Sequence, residues 1–138
     1  MEMRAYEVQA ETRKALAHPV RLRILDILRE EEQCVCHITA VLGLRQPYVS
    51  QQLAILRAAG LVSARKEGLN IYYRVEDERV LALMDLVRNL VRDRVEKAGG
   101  IFALPPPIGP PPSCSCPKCR ARRRGKKRPK KGWRKSNA

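Results

Sequence analysis

Apolar residues recur at helical spacing through the first half of the chain and predict three helices there. The first covers the segment YEVQAETRKALA, and His18 and Pro19 interrupt it. Pro19 suits the first turn of a second helix, because the amide that it lacks would have no partner there. The third helix is short: CHITAVLGL places its apolar side chains on one side, and Gly43 ends it.

The second half of the chain predicts a fourth helix, a β-hairpin and a fifth helix. RQPYVSQQLAILRAAGL places Val49, Leu53 and Leu56 on one side of the fourth helix. The spacing then changes from 3.6 to 2 in LVSARKEGLNIYYRV, which predicts a hairpin that turns at EGLN. DERVLALMDLVRNLVRDRVEKA predicts a long amphipathic helix. This order, mostly α with one hairpin, is that of a winged helix-turn-helix in which the third and fourth helices form the helix-turn-helix and the hairpin forms the wing.

The first and fifth helices carry more apolar surface than a monomer of this size needs. The sequence therefore predicts a homodimer, and such dimers pair with pseudo-twofold sites on double-stranded DNA. In the fifth helix the apolar stripe consists of Leu81, Met84, Val87 (or Leu86), Val91 and Val95.

Charge divides the chain unevenly. All 14 acidic residues lie at or before Glu96, whereas 12 of the 28 basic residues lie between Lys118 and Lys135. We predict three parts: a DNA-binding and dimerisation domain over residues 1–98, a Gly/Pro-rich linker over 99–113 and a Cys-containing basic tail over 114–138. The tail has almost no apolar side chains, so it is expected to lack fixed structure and to favour polyanions.

Several classes of protein do not fit this sequence. The N-terminal segment has no apolar core of signal-peptide length, and no run approaches the roughly 20 apolar residues of a membrane span. We expect a cytoplasmic protein with no membrane partner, in which five cysteines indicate metal, redox or structural thiols. No Ser/His/Asp set, carboxylate pair or phosphate loop indicates an enzyme.

The fourth helix and the wing supply the candidate DNA contacts. No acidic residue lies between Leu42 and Arg65. Glutamine at the start of a recognition helix can bind adenine through two hydrogen bonds, and hydroxyl or basic side chains can bind phosphate. The predicted contacts are Arg45, Gln46, Tyr48, Ser50, Gln51 and Gln52, with Arg57 further along the helix and Arg65 and Lys66 on the wing.

The segments LAHPVRLRILDIL, EQCVC and VCHITAVLGLRQPYVSQQLAILRAAGLVSARKEGLNIYYRV resemble the ArsR/SmtB family of bacterial metalloregulatory repressors. The resemblance covers about residues 12–97 and implies a homodimeric winged-helix repressor that releases its operator when an inducer binds. The chain departs from the family at residues 45–47, where Arg-Gln-Pro stands in place of the common Ser-Gln-Ser, so the serine N-cap is lost. The linker and the tail lie outside the family pattern.

Cys34 and Cys36 in EQCVC resemble the ELCVC of arsenic- and cadmium-responsive members, which implies that they bind metal. Thiolates favour ions such as As(III), Cd(II), Pb(II) and Zn(II), and As(III) is the ion that we expect first. Residues two apart in a regular helix point about 200° away from each other. Binding one ion is therefore expected to distort the first turn of the third helix and so to release DNA.

Three further thiols, Cys114, Cys116 and Cys119, form a compact C-x-C-x-x-C pattern in the tail. They complete the Cys34/Cys36 site, form a site of their own, or stay exposed without an ion; the spacing does not choose. His37 is expected to be exposed, because its adjacency to Cys36 makes joint ligation awkward, and His18 is expected to be structural. Two other functions fit the sequence: a thiol-redox-sensing winged-helix regulator and a DNA-architectural protein that relies on its basic tail.

Overall fold

A computed structural model describes residues 2–105, residue 114 and residues 116–125. The predicted winged helix-turn-helix order is confirmed, and one short strand and one tail helix are added to it. The elements are α1 (Glu2–Leu16), α2 (Pro19–Ile27), β1 (Gln33–Cys34), α3 (Val35–Leu42), α4 (Gln46–Ala58), β2 (Val62–Glu67), β3 (Asn70–Val75), α5 (Arg79–Lys97) and α6 (Pro117–Arg123).

The helix boundaries follow the residues that the sequence indicated. His18 precedes α2, and its Nδ1 accepts a hydrogen bond of 3.2 Å from the amide of Val20, which confirms its structural role. Gly43 ends α3 in the left-handed conformation, with φ 64° and ψ 28°. Arg45 precedes α4, and among the described residues its side chain makes no capping hydrogen bond, in line with the missing serine.

The wing is one part of a three-stranded sheet. Strands β2 and β3 form the predicted antiparallel hairpin, with Glu67 opposite Asn70 and a two-residue turn between them. Strand β1 pairs with the other edge of β3, where Cys34 lies opposite Tyr72. The segment just before α3 is therefore hydrogen-bonded to the wing.

An aliphatic core holds the helices and the hairpin together. The predicted core residues Val49, Leu53 and Leu56 of α4 are fully buried. Each large apolar side chain buried in this way contributes about 1.5–3 kcal/mol. The aliphatic core comprises Ala15, Ile24, Leu25, Leu28, Ile38, Val49, Leu53, Leu56, Leu61, Val62 and Met84.

Apolar surface remains exposed on α1 and α5. Met84 of the predicted stripe is buried, whereas Leu86, Val87 and Leu90 of α5 and Tyr6 of α1 are exposed. Such contiguous apolar surface is typical of an interface between protein chains. Among the described residues, no helix combines the length and apolarity that a membrane span requires.

Candidate metal centre and nucleic-acid interface

Cys34 and three tail thiols that are far from it in sequence meet in the structure. The Sγ atoms of Cys34, Cys114, Cys116 and Cys119 all lie within 4.8 Å of one another, and all four residues are buried. We call these four residues the thiol cluster. The tail thiols therefore lie buried against Cys34, and completion of a Cys34/Cys36 ion site by the tail stays a prediction.

Cys34 lies before α3 rather than inside it. It is the N-cap residue, with the extended dihedrals φ −72° and ψ 155°, and its Sγ accepts a hydrogen bond of 3.2 Å from the amide of His37. The sulfurs of Cys34 and Cys36 are joined as a disulfide while α3 stays helical from Val35 to Leu42. The expectation that these two sulfurs approach only when α3 unwinds is therefore wrong, because helical spacing does not apply to an extended N-cap residue.

The start of the tail is folded. Residues Pro117–Arg123 form α6, and the Sγ of Cys116 accepts a hydrogen bond of 3.4 Å from the amide of Cys119. For residue 114 and residues 116–125, the prediction of a tail without fixed structure is wrong. Its thiols pack against Cys34 and Tyr72 in place of the aliphatic side chains that the tail lacks. The rest of the predicted tail, and most of the predicted linker, lie outside the described residues.

The contacts of Cys34 suit a shared ion. Its Sγ lies 3.1 Å from the Sγ of Cys116 and 3.7 Å from that of Cys114, in addition to its bond with Cys36. One sulfur can form only one disulfide bond, so no single pairing satisfies all of these contacts. In a tetrahedral zinc site with Zn–S bonds of about 2.3 Å the sulfurs stand about 3.8 Å apart. The donor set therefore fits a thiophilic ion in both chemistry and spacing.

His37 belongs to this site, although the sequence predicted an exposed role for it. Its side chain is only 2% exposed, and its Nδ1 lies 3.3 Å from the Sγ of Cys119. Burial lowers the pKa of the His37 imidazole, and the charge of Lys118 lowers it further. The prediction is wrong because the partner that covers His37 lies 82 residues further along the chain, where no local spacing could reveal it.

The environment of the thiols disfavours free thiolates. Burial raises the pKa of Cys119, and the neighbouring thiols of Cys114 and Cys116 raise it further. Burial also raises the pKa of Cys114. A cation that binds here must displace thiol protons, so the site favours ions that form strong bonds to sulfur.

The side chain of Lys118 in α6 places a positive charge beside the thiol cluster. Lys118 is 5% exposed, and its Nζ lies 3.4 Å from Oε2 of Glu31, an ion pair that lacks hydrogen-bond geometry. Burial lowers the pKa of Lys118 to about 8, while Glu32, Cys119 and Cys116 raise it in part. Its ammonium group offsets the negative charge of thiolates in the cluster.

Helix α4 presents most of its predicted DNA contacts to the surface. Gln51 is exposed, together with Arg45, Gln46 and Tyr48, and Ser50 and Arg57 are partly buried. Gln52 is the exception: it is 6% exposed, and its Oε1 accepts a hydrogen bond of 2.9 Å from Nη1 of Arg21. This burial disfavours its predicted contact with DNA, because one step along a helix from Gln51 turns the side chain by about 100°.

The two basic residues of the wing differ in their surroundings. Lys66 is exposed. Arg65 binds the carboxylates of Glu32 and Glu67, and its guanidinium stacks 4.6 Å from the ring centroid of Tyr72. The Glu32 carboxylate raises the pKa of Arg65. With its side chain 12% exposed, Arg65 ties the segment before β1 to the wing, and these partners within the protein disfavour its predicted contact with flanking DNA.

Comparisons with known proteins agree with this architecture. Residues 18–64 match the family described as bacterial regulatory protein, arsR family. A helix-turn-helix transcriptional regulator of Methanocaldococcus jannaschii is 45% identical over 89 residues, which are 64% of this chain and 100% of that protein. A biofilm growth-associated repressor of Agrobacterium fabrum is 44% identical over 85 residues, 62% of this chain and 72% of that protein.

A solved structure with the same fold is a homodimer. The winged helix-turn-helix DNA-binding domain of a possible regulator from Mycobacterium bovis has a TM-score of 0.64 at 35% identity, and the match covers 70% of this chain and 89% of that one. Within this chain, the residues matched to the family include Cys34 and Cys36 and none of the three tail thiols.

Proposed function

Because this chain belongs to the ArsR family of bacterial regulatory proteins, which are DNA-binding regulators rather than enzymes, we propose that it is a repressor controlled by a thiophilic ion. The ion would be As(III), Cd(II), Pb(II) or Zn(II), held by cysteine thiolates, and its binding would release operator DNA. The observation that carries the proposal is the group of four buried thiols beside the first turn of α3, the first helix of the helix-turn-helix.

Operator DNA is bound by the exposed side of α4 and by the wing. Gln51 would read base edges, because it projects from the early part of the recognition helix and is exposed. Two copies would pair through the exposed apolar surfaces of α1 and α5 and present two such helices to a pseudo-twofold site. The homodimeric relative from Mycobacterium bovis supports this assembly.

Cys34 couples the ion site to both DNA-binding elements. It pairs with Tyr72 of the wing, and its sulfur caps α3. A shift of this residue is therefore transmitted to the wing sheet and to the helix-turn-helix together, without any unwinding of α3. Such a device changes operator affinity by no more than the difference in ion affinity between the DNA-bound and the DNA-free forms.

Operator release measured by fluorescence anisotropy tests the proposal. We expect As(III), Cd(II), Pb(II) or Zn(II) to release the wild-type protein under reducing conditions. A Cys34→Ser/Cys36→Ser variant should bind the operator with wild-type affinity and stay bound when the ion is added. Should this variant release DNA like the wild type, these cysteines are not the switch.

The Cys34–Cys36 disulfide supports a second candidate function, a thiol-redox regulator. A peroxide would oxidise the two thiols to the disulfide and would itself be reduced to two molecules of water or to water and an alcohol. Release of operator by hydrogen peroxide in metal-free buffer, reversed by dithiothreitol, would favour this function. Release by an ion at constant reducing potential, with the metal content measured by mass spectrometry, would favour the first.

A further inference from the structure

We infer that the thiol cluster is a closed four-sulfur site for a tetrahedral divalent ion, Zn(II) or Cd(II), and that Cys36 stands outside it. The inference rests on the proposed function for its effect on DNA, and it deepens that function by naming the ligand set and the class of ion. It also gives the tail a function: three of the four ligands come from the tail, which lies outside residues 18–64, the part of the chain that matches the family.

The first support is the convergence of the four sulfurs. The four sulfurs lie within 4.8 Å of one another, and four sulfurs around one tetrahedral ion stand about 3.8 Å apart. Only small shifts would therefore be needed to bind an ion. Within the described part of the chain all four residues are at most 3% exposed, so the cluster offers little access to substrate or solvent. Four cysteine ligands and a closed coordination sphere are typical of zinc sites that hold a fold together.

Two backbone hydrogen bonds prepare the sulfurs for this role. The Sγ of Cys34 accepts the amide of His37, and the Sγ of Cys116 accepts the amide of Cys119. In both cases the donor lies three residues after the sulfur. The two segments therefore position the sulfur of their first cysteine in the same way, against an amide of the turn that follows.

Cys36 differs from the four in position. Its sulfur contacts those of Cys34 and Cys114, at 3.1 Å from the latter, but it is only half-buried and is not one of the four mutually close ligands. The Cys34–Cys36 disulfide must be reduced before Cys34 can bind an ion, and Cys36 is then left as a neighbouring free thiol. This arrangement provides a matched control, because Cys36 has the same chemistry and lies two residues from a ligand.

The number of ligands discriminates between ions. Three thiolates suit trigonal As(III), which would leave one of the four buried thiols without a bond. A tetrahedral divalent ion uses all four, and buried Lys118 offsets part of the negative charge that four thiolates bring. We therefore expect Zn(II) and Cd(II) to bind more tightly than As(III), contrary to the preference for As(III) expected from the sequence.

The test uses the full-length reduced protein with Co(II) as the first probe. Co(II) bound by four thiolates gives intense visible absorption, and displacement of Co(II) by Zn(II), Cd(II) or As(III) ranks the ions. Single substitutions Cys34→Ser, Cys114→Ser, Cys116→Ser and Cys119→Ser should each lower Zn(II) affinity by more than about 100-fold, since losing only an outer-shell partner costs about 10–100-fold. Cys36→Ser should stay within about threefold of wild type.

Limited digestion with trypsin gives a second measurement. Zn(II) should slow cleavage after Lys118 and Arg120 in the wild type and in Cys36→Ser, and should have no effect on the four ligand variants. The helical circular dichroism of each ion-free variant checks that it is folded. Equal loss of affinity in Cys36→Ser, wild-type affinity in any of the three tail variants, or tighter binding of As(III) than of Zn(II) would overturn the four-sulfur site.

The outcome for DNA is measured separately, so that the two proposals fail in different ways. If Zn(II) binds with the expected pattern and operator affinity does not change, the site stands and the repressor mechanism is wrong. If Zn(II) still releases the operator from Cys114→Ser, Cys116→Ser and Cys119→Ser, the repressor mechanism depends on Cys34 and Cys36. The assignment of the three tail cysteines as ligands is then wrong.

Discussion

The aliphatic core and the thiol cluster meet at α3 but are stabilised by different forces. Ile38 of α3 is fully buried in the aliphatic core, among leucine, isoleucine and valine side chains of neighbouring elements. Cys34, which caps the same helix, belongs to a cluster of thiols packed on Tyr72. Burial of aliphatic groups needs no ligand, whereas thiols bury little apolar surface and can in addition bind an ion or form a disulfide.

Under the proposed function, this difference separates the part of the molecule that reads DNA from the part that responds to an ion. Helix α4 is anchored in the aliphatic core by Val49, Leu53 and Leu56, none of which belongs to the thiol cluster. The thiol cluster joins β1 and the tail, and under the proposed function its stability depends on a bound ion. Because Cys34 of the thiol cluster is also the N-cap residue of α3, binding of an ion would shift the DNA-binding elements without disturbing the aliphatic core.

The largest effect is expected from a substitution in the aliphatic core. Leu53→Ala removes a fully buried side chain and should lower the free energy of unfolding by about 2–5 kcal/mol. The loss should be the same in the presence and absence of Zn(II). Urea denaturation followed by circular dichroism measures it.

The comparison variant is Cys114→Ser/Cys116→Ser/Cys119→Ser. Without an ion it should unfold within about 1 kcal/mol of the wild type, as expected when no large apolar side chain is removed. It should also lack the stabilisation by Zn(II) that the wild type shows, which is about 4 kcal/mol at a thousandfold excess over the dissociation constant. A large loss without an ion would mean that the tail belongs to the unconditional core.

Two adjacent glutamines of α4 provide the next test, because one faces solvent and the other faces the protein. Gln51→Ala should weaken operator binding by about 1–3 kcal/mol and reduce base preference, with no change in stability. Gln52→Ala removes the acceptor of Arg21 and should lower the free energy of unfolding by roughly 1–2 kcal/mol. Its preference among operator sequences should remain that of the wild type.

Anisotropy titrations with the operator and with base-substituted operators separate the two variants. Both should respond to Zn(II) like the wild type, because neither residue contacts the thiol cluster. If Gln51→Ala keeps the wild-type base preference, the exposed side of α4 is not the surface that reads DNA.

The sequence predicted the fold because the fold depends on local patterns. Apolar spacing located the helices, the change of period located the hairpin, and Pro19 and Gly43 marked helix boundaries that the structure has. The short strand β1 was missed because two residues carry no periodic signal. Helix α6 was missed because its composition predicts disorder, and its anchoring groups are thiols rather than aliphatic side chains.

The candidate site was only partly predictable, because its contacts join distant segments. All five cysteines were identified as candidates, but which of them meet depends on how the tail packs on β1 and β3. His37 was assigned an exposed role because its cover comes from the tail. Gln52 and Arg65 were assigned to DNA because polar side chains resemble one another in sequence, whereas in the structure each has a partner within the protein.

The wing provides the last test, because its two neighbouring basic residues differ: Lys66 is exposed, whereas Arg65 has partners within the protein. Lys66 is exposed, so Lys66→Ala should weaken binding to all DNA sequences alike and reduce the dependence on salt by about one unit of slope. It should leave stability and the response to Zn(II) unchanged. Anisotropy titrations at several salt concentrations measure this slope.

Arg65 instead links the conditional region to the wing, since it binds Glu32 just before β1 and stacks on Tyr72 beside the thiol cluster. Arg65→Ala should therefore lower the free energy of unfolding by roughly 1–2 kcal/mol and reduce the change in operator affinity that Zn(II) produces, because the wing no longer follows β1. The salt dependence of ion-free DNA binding should remain that of the wild type, since the Arg65 guanidinium is paired with the carboxylates of Glu32 and Glu67 rather than with phosphate. If Arg65→Ala instead lowers the salt slope as Lys66→Ala does and leaves the response to Zn(II) intact, Arg65 contacts DNA and the ion site acts through α3 alone.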